Sequence, residues 1–84
     1  MSNTSTDNLW MLKRDELCQI VGFDSQLDSA IKARIDELGF RTGANILCTQ
    51  APRLGAPKLY RVGNAVYSLE KPVALMVQIQ RIES

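Results

Sequence analysis

The stretch Leu38-Gly39-Phe40-Arg41-Thr42-Gly43 constrains the fold of this chain more than any other, because the hydrophobic period changes across it. Before it, Leu27, Ala30, Ile31, Ile35 and Leu38 fall on one side of a helix; after it, residues 44–50 read as a strand. Gly39 stands where a helix needs a left-handed closing residue, a conformation glycine adopts without a Cβ penalty. Phe40, next after that stop, is placed to fold back on the last helical turn. Gly43 supplies a second bend. The stretch reads as a corner between a helix and a small barrel.

Eighty-four residues leave room for one domain, and a chain this short buries only about 60% of the surface it exposes when unfolded. A small barrel suits that limit. No apolar run approaches the roughly 18 residues of a membrane-spanning helix, so no insertion into a membrane is expected. Residues 1–8 lack the basic-then-apolar order of a secretory signal and read as a disordered tail ahead of a single domain at 9–84. The expected location is the cytoplasm, where Cys18 and Cys48 stay reduced; both sit in strand-like segments and read as small core residues. Ten basic against nine acidic side chains give a net charge of +1 and no footprint for a phosphate backbone. Nucleic acid is therefore not an expected partner.

Leu9-Trp10-Met11-Leu12 is a short apolar cluster, read as a strap across the barrel with Trp10 as its anchor. Residues 17–23 form a first strand, with Cys18 and Ile20 on one face, Gln19 and Val21 on the other, and Gly22 as a bulge or an end. Asp24-Ser25-Gln26-Leu27-Asp28 offers two helix starts, Ser25 with Asp28 as a capping box or Asp28 itself as the cap. The helix that follows is amphipathic, and Asp28 precedes Lys32 by four residues, the favourable order for an ion pair. Beyond the corner, Ile46 and Cys48 alternate with Leu47 and Thr49 in a second strand that ends before Pro52. Residues 59–62 resume the strand pattern, and Gly63-Asn64 reads as the two-residue turn of a hairpin into residues 65–67. Ser68-Leu69-Glu70-Lys71-Pro72 interrupts the sheet with one helical turn through about Ala74, and residues 76–82 form the last strand, with Val77 and Ile79 on one face. The fold class is mainly β, a small α+β: an SH3-like five-stranded barrel with one inserted amphipathic helix and a short helical turn before the last strand.

The chain has no histidine, which removes the commonest general base and the commonest metal ligand. Cys18 and Cys48 have no second pair nearby, so no zinc-type spacing exists. Asp15-Glu16 and Asp36-Glu37, the adjacent carboxylates, lie on segments that read as solvated, and Gly39 and Gly43 follow a helix where a phosphate loop would precede one. No catalytic, cofactor or metal residues are assigned, and the chain is not expected to be an enzyme. What remains is surface shape. The loop Arg53-Leu54-Gly55-Ala56-Pro57, held between Pro52 and Pro57, carries a leucine with no periodic partner. It is either an interaction site or a plug over one end of the barrel. Tyr60 and Tyr67, on opposite arms of the hairpin, form either part of an aromatic groove for a polyproline peptide or a cross-strand pair. The candidate partner-binding residues are Arg53, Leu54, Ala56, Pro57 and Tyr60; Gly39, Gly43, Pro52 and Gly63 are assigned structural roles.

Taken together, Leu38-Gly39-Phe40-Arg41-Thr42-Gly43-Ala44, Ala51-Pro52-Arg53-Leu54-Gly55-Ala56-Pro57, Tyr60-Arg61-Val62-Gly63-Asn64 and Ser68-Leu69 closely resemble the ferrous iron transport protein A family, FeoA. The resemblance covers residues 9–82. It implies a small cytoplasmic SH3-like protein that works with FeoB, a membrane transporter of ferrous iron bearing a cytosolic G-protein domain. The implied partner is the cytosolic region of FeoB, either that domain or an adjacent surface, with the oligomeric state left open. Related domains also end metal-dependent transcription repressors; with no DNA-binding segment before it, the chain is expected to be the stand-alone form. Two rival readings remain, a generic SH3-like peptide-binding module and a weakly metal-responsive regulator using carboxylates at a subunit contact.

Overall fold

The computed structural model describes residues 7–54 and 56–82; residues 1–6 of the expected tail, Gly55 of the proline loop and residues 83–84 lie outside the described residues. The strands are β1 (Asp7–Asn8), β2 (Leu17–Phe23), β3 (Asn45–Gln50), β4 (Lys58–Val62), β5 (Ala65–Leu69) and β6 (Val77–Ile82). Two helices, α1 (Ser29–Leu38) and α2 (Lys71–Ala74), and a 3₁₀ turn at Leu9–Met11 complete the chain.

Of the two candidate helix starts, Asp28 is the one used. Its carboxylate accepts from the N–H groups of Ala30 (3.1 Å) and Ile31 (3.2 Å), satisfying two of the four donors that a helix start leaves open. Lys32 does not pair with Asp28 as the spacing predicts; its ammonium stands over the Phe23 ring at 5.3 Å. An exposed ion pair contributes little, and the ring offers a competing partner. The helix ends as glycine dictates. Gly39 has φ 113°, its N–H donates to Asp36 O at 3.0 Å, and Phe40 N–H donates to Ile35 O at 3.0 Å. This double closure is the Schellman motif. Phe40 enters the core with Ile35 and meets Tyr67 edge-on at 6.1 Å. Gly43, φ 94°, lays the chain onto β2, where its N–H donates to Ile20 O (2.7 Å) and Ala44 O accepts from Ile20 N–H (2.9 Å).

The strands form a single sheet in the order β1-β6-β2-β3-β4-β5, with every pair antiparallel. Inward residues alternate as a half-buried sheet requires: Cys18 and Ile20, Ile46 and Cys48, Val77 and Ile79 are buried. Val21 is the extra residue of a bulge between β2 and β6, where Ile20 faces Ile79 and Gly22 faces Gln78. The expected SH3-like order of elements is present, with two differences of detail. A sixth strand exists: Asp7 and Asn8, expected in a disordered tail, pair with Ile79 and Gln78. Two polar residues carry no strand pattern of their own, and they are held by the partner strand and by Arg81, whose guanidinium binds the Asp7 carboxylate, Glu16 Oε1 (3.3 Å) and Met11 O (2.9 Å).

The second difference is that the sheet does not close, since β1 and β5 end it without pairing to one another. The strap that follows β1 is tied to β4 instead. Its anchors are Leu9 and Leu12, both fully buried, and not Trp10, which is half-buried beneath the ammonium groups of Lys58 (4.8 Å) and Lys71 (5.8 Å). Lys58 donates to Trp10 O and to Leu12 O (3.0 Å), and the Tyr60 hydroxyl donates to Leu9 O (3.1 Å), so β4 is tied to the strap by side chains. Strand β5 also runs further than its sequence suggests. Ser68 and Leu69 stay in the sheet opposite Leu59 and Lys58, leaving Glu70 to cap α2, which carries Pro72 in its first turn. In the β4–β5 turn only Gly63 takes a positive φ (61°), the pattern of a II′ hairpin.

Candidate partner surface

The connection from β3 to β4 is short on internal contacts. Thr49 Oγ1 donates to Leu59 O (3.3 Å) across its base, and Ala56 N–H reaches Arg53 O only at 3.5 Å. Leu54 at its tip is 102% exposed, as open as in an extended peptide, so it plugs nothing. It also has φ 66°, a left-handed conformation that costs a branched side chain about 1–2 kcal/mol. Arg53, Pro52 and Pro57 are exposed beside it and Ala56 is half-buried. Arg53 takes part in no ion pair among the described residues. A shallow depression lined by Arg14, Gln50, Ala51 and Pro52 flanks the loop. The structure thus brings four of the five candidate residues together on one exposed connection.

Tyr60 is the exception. It is fully buried, its hydroxyl is used by the strap, and burial pushes its phenol above the ordinary range. No aromatic groove forms: Tyr60 and Tyr67 are direct cross-strand partners, and Tyr67 packs on Phe40. The signal for this was alternation, because Lys58, Tyr60 and Val62 share the inner face of β4 while Arg61 is exposed. Gly39, Gly43 and Gly63 have positive φ, at 113°, 94° and 61°.

The two cysteines are buried and unpaired with one another. Burial pushes the Cys18 thiol up to about 12 and raises that of Cys48, whose Sγ donates to Gln50 O at 3.6 Å. Burial that favours the neutral thiol makes a cysteine a poorer nucleophile and a poorer ligand. Among the described residues no group of three Cys, Asp or Glu side chains stands ready for a metal ion, and no helix is long and apolar enough to cross a membrane.

An open antiparallel sheet with an inserted amphipathic helix, a strap tied to β4 and one exposed proline-flanked loop defines a small SH3-like domain. The sequence profile of the FeoA domain matches residues 8–81, and the chain belongs to the FeoA family. It is similar in structure to an iron uptake regulatory protein (FeoA), with a TM-score of 0.81 at 17% identity, covering 93% of this chain and 100% of that one. A FeoA-like protein from Clostridium acetobutylicum superposes with a TM-score of 0.79 at 20% identity, over 98% and 93% of the two chains. FeoA of Stenotrophomonas maltophilia, solved with zinc and described as a prokaryotic SH3 domain protein that possibly acts as a ferrous iron transport activating factor, gives 0.75 at 27% identity, over 87% and 88%. A manganese-dependent transcriptional repressor contains the same fold, TM-score 0.82 at 11% identity, in 45% of its length. No curated protein matches the chain in sequence.

Proposed function

We propose that this chain is a cytoplasmic accessory factor of ferrous iron uptake, acting by contact with the cytosolic region of the transporter FeoB and without catalysis of its own. Family membership supplies the link to ferrous iron transport. The observation that carries the contact is Leu54, wholly exposed and held at φ 66° on a loop bounded by Pro52 and Pro57. Fully burying a leucine contributes about 1.5–3 kcal/mol, and the prolines reduce the entropy lost on docking. Arg53 beside it supplies a charge able to pair with a carboxylate opposite.

Leu54→Asp separates contact from stability. Aspartate tolerates a left-handed backbone better than leucine, so the melting temperature is expected to stay the same or rise slightly. Capture of the cytosolic domain of FeoB, measured with and without nucleotide, is expected to be lost, and ferrous iron uptake to fall with it. A stable variant that still captures FeoB would overturn the loop assignment and move the contact to the exposed side of α1 that carries Lys32 and Asp36.

A further inference from the structure

The outer edge of β5 is unlike the other end of the sheet. Strand β1 is two residues long and its Asp7 is engaged by Arg81, which leaves little edge to extend. Strand β5, Ala65-Val66-Tyr67-Ser68-Leu69, has no charge and no proline, and its register with β4 runs unbroken from Val62↔Ala65 to Lys58↔Leu69. These are the features whose absence usually protects an edge. The two-residue turn makes Val62 and Ala65 a hydrogen-bonded pair. Alternation then turns the N–H and C=O groups of Val66 and Ser68 away from β4. Among the described residues no backbone group from the turns and loops bonds to them.

We propose that this edge docks one extended segment of a partner protein, which joins the sheet as a further strand in the groove between β5 and α1. That groove encloses about 310 Å³, with Ile31 and Leu38 on the helix facing Ser68 and Leu69 on the strand. Main-chain bonds to Val66 and Ser68 supply affinity, and alternate apolar side chains fill the groove. Helix α1 lines the groove through Ile31, Arg34, Ile35 and Leu38, opposite the Ser68–Leu69 end of the strand. Arg34 and Glu70 line the groove, and neither is in an ion pair among the described residues. The segment therefore carries a carboxylate where it passes Arg34 and a cation where it passes Glu70. This site is separate from the 53–57 loop and stands without it.

The probe is a fluorescein-labelled octapeptide of valine alternating with threonine, with a lysine at one end and a glutamate at the other, made in both charge orders. Saturable one-to-one binding is expected, with one charge order preferred and that preference lost in Arg34→Glu and Glu70→Lys. Ser68→Pro removes an outward N–H that β4 does not use, so the fold is retained while affinity falls about tenfold. On the wild-type protein, hydrogen exchange at the Val66 and Ser68 amides is expected to slow when the peptide is added, a readout that needs no variant to fold. No binding of either peptide at about 1 mM, equal binding to Ser68→Pro, or protection that spares Val66 and Ser68 would overturn the proposal. A peptide-free dimer with those two amides protected would overturn it in favour of a second copy as the occupant.

Discussion

Gly39 and Gly43 share a positive φ and differ in what surrounds them. A Cβ built at Gly39 meets Val62 Cγ2 at 3.0 Å, whereas one at Gly43 meets nothing within 4 Å. Gly43→Ala is therefore expected to cost only the left-handed strain, about 1 kcal/mol. Gly39→Ala adds displacement of Val62 and is expected to cost about 1–3 kcal/mol, with Gly39→Val at or above the top of that range. Urea unfolding of the three variants checks the order. Equal losses at the two glycines would mean that Val62 yields freely. Backbone chirality, which acts within a residue or two, made both positions legible in the sequence; the neighbour that grades them lies 23 residues on, a distance no local pattern spans.

The strap is the element that makes an unclosed sheet hold a core. Leu9 and Leu12 enter it, and the Leu9 carbonyl accepts both the Tyr60 hydroxyl and Leu12 N–H, each at 3.1 Å. Because that carbonyl keeps one partner when the hydroxyl is removed, Tyr60→Phe is expected to cost only about 0.5–1.5 kcal/mol. It should leave capture of FeoB intact, since Tyr60 presents nothing to solvent. Thermal melting and the same capture assay check both halves. A loss of FeoB capture with little loss of stability would return Tyr60 to the partner surface. The apolar cluster at residues 9–12 announced a strap, but its largest side chain was the wrong guide to its anchor. Trp10 is recruited by two lysines, from β4 and from α2, that no local spacing brings near it.

At the scale of the whole molecule, the core acts in one direction on the ionisable groups it encloses among the described residues. The pKa values of Cys18, Cys48 and Tyr60 are raised, each chiefly by burial. An unfolded cysteine ionises near its ordinary 9.0, while folded Cys18 holds its proton to about 12. Between those values the folded state binds more protons than the unfolded one, so stability falls as pH rises. The contribution is fully present below pH about 9 and is lost on the way to about 12. Urea midpoints are expected to decline across that window, with a shallower slope in Cys18→Ala. Iodoacetamide at pH 8 should label the native thiols far more slowly than the unfolded ones. A midpoint independent of pH, or labelling at the free-thiol rate, would place the cysteines at the surface.

The helix and its Schellman stop, the hairpin at Gly63, the alternation of β2, β3 and β6, and the turn at Pro72 were all written in the sequence. Each depends on interactions between residues a few positions apart, where chirality, capping and period-two burial act. The unpaired leucine of the loop could be read there too, though not which way it faced. Tertiary structure alone decided that two polar residues become a strand, that Tyr60 is core, and that side chains of β4 hold the strap. Those outcomes rest on bonds between residues 51, 48 and 74 positions apart, Tyr60 to Leu9, Lys58 to Trp10 and Arg81 to Asp7. Such bonds form only where packing has already brought a carbonyl or carboxylate within reach, and no local pattern records which one that will be.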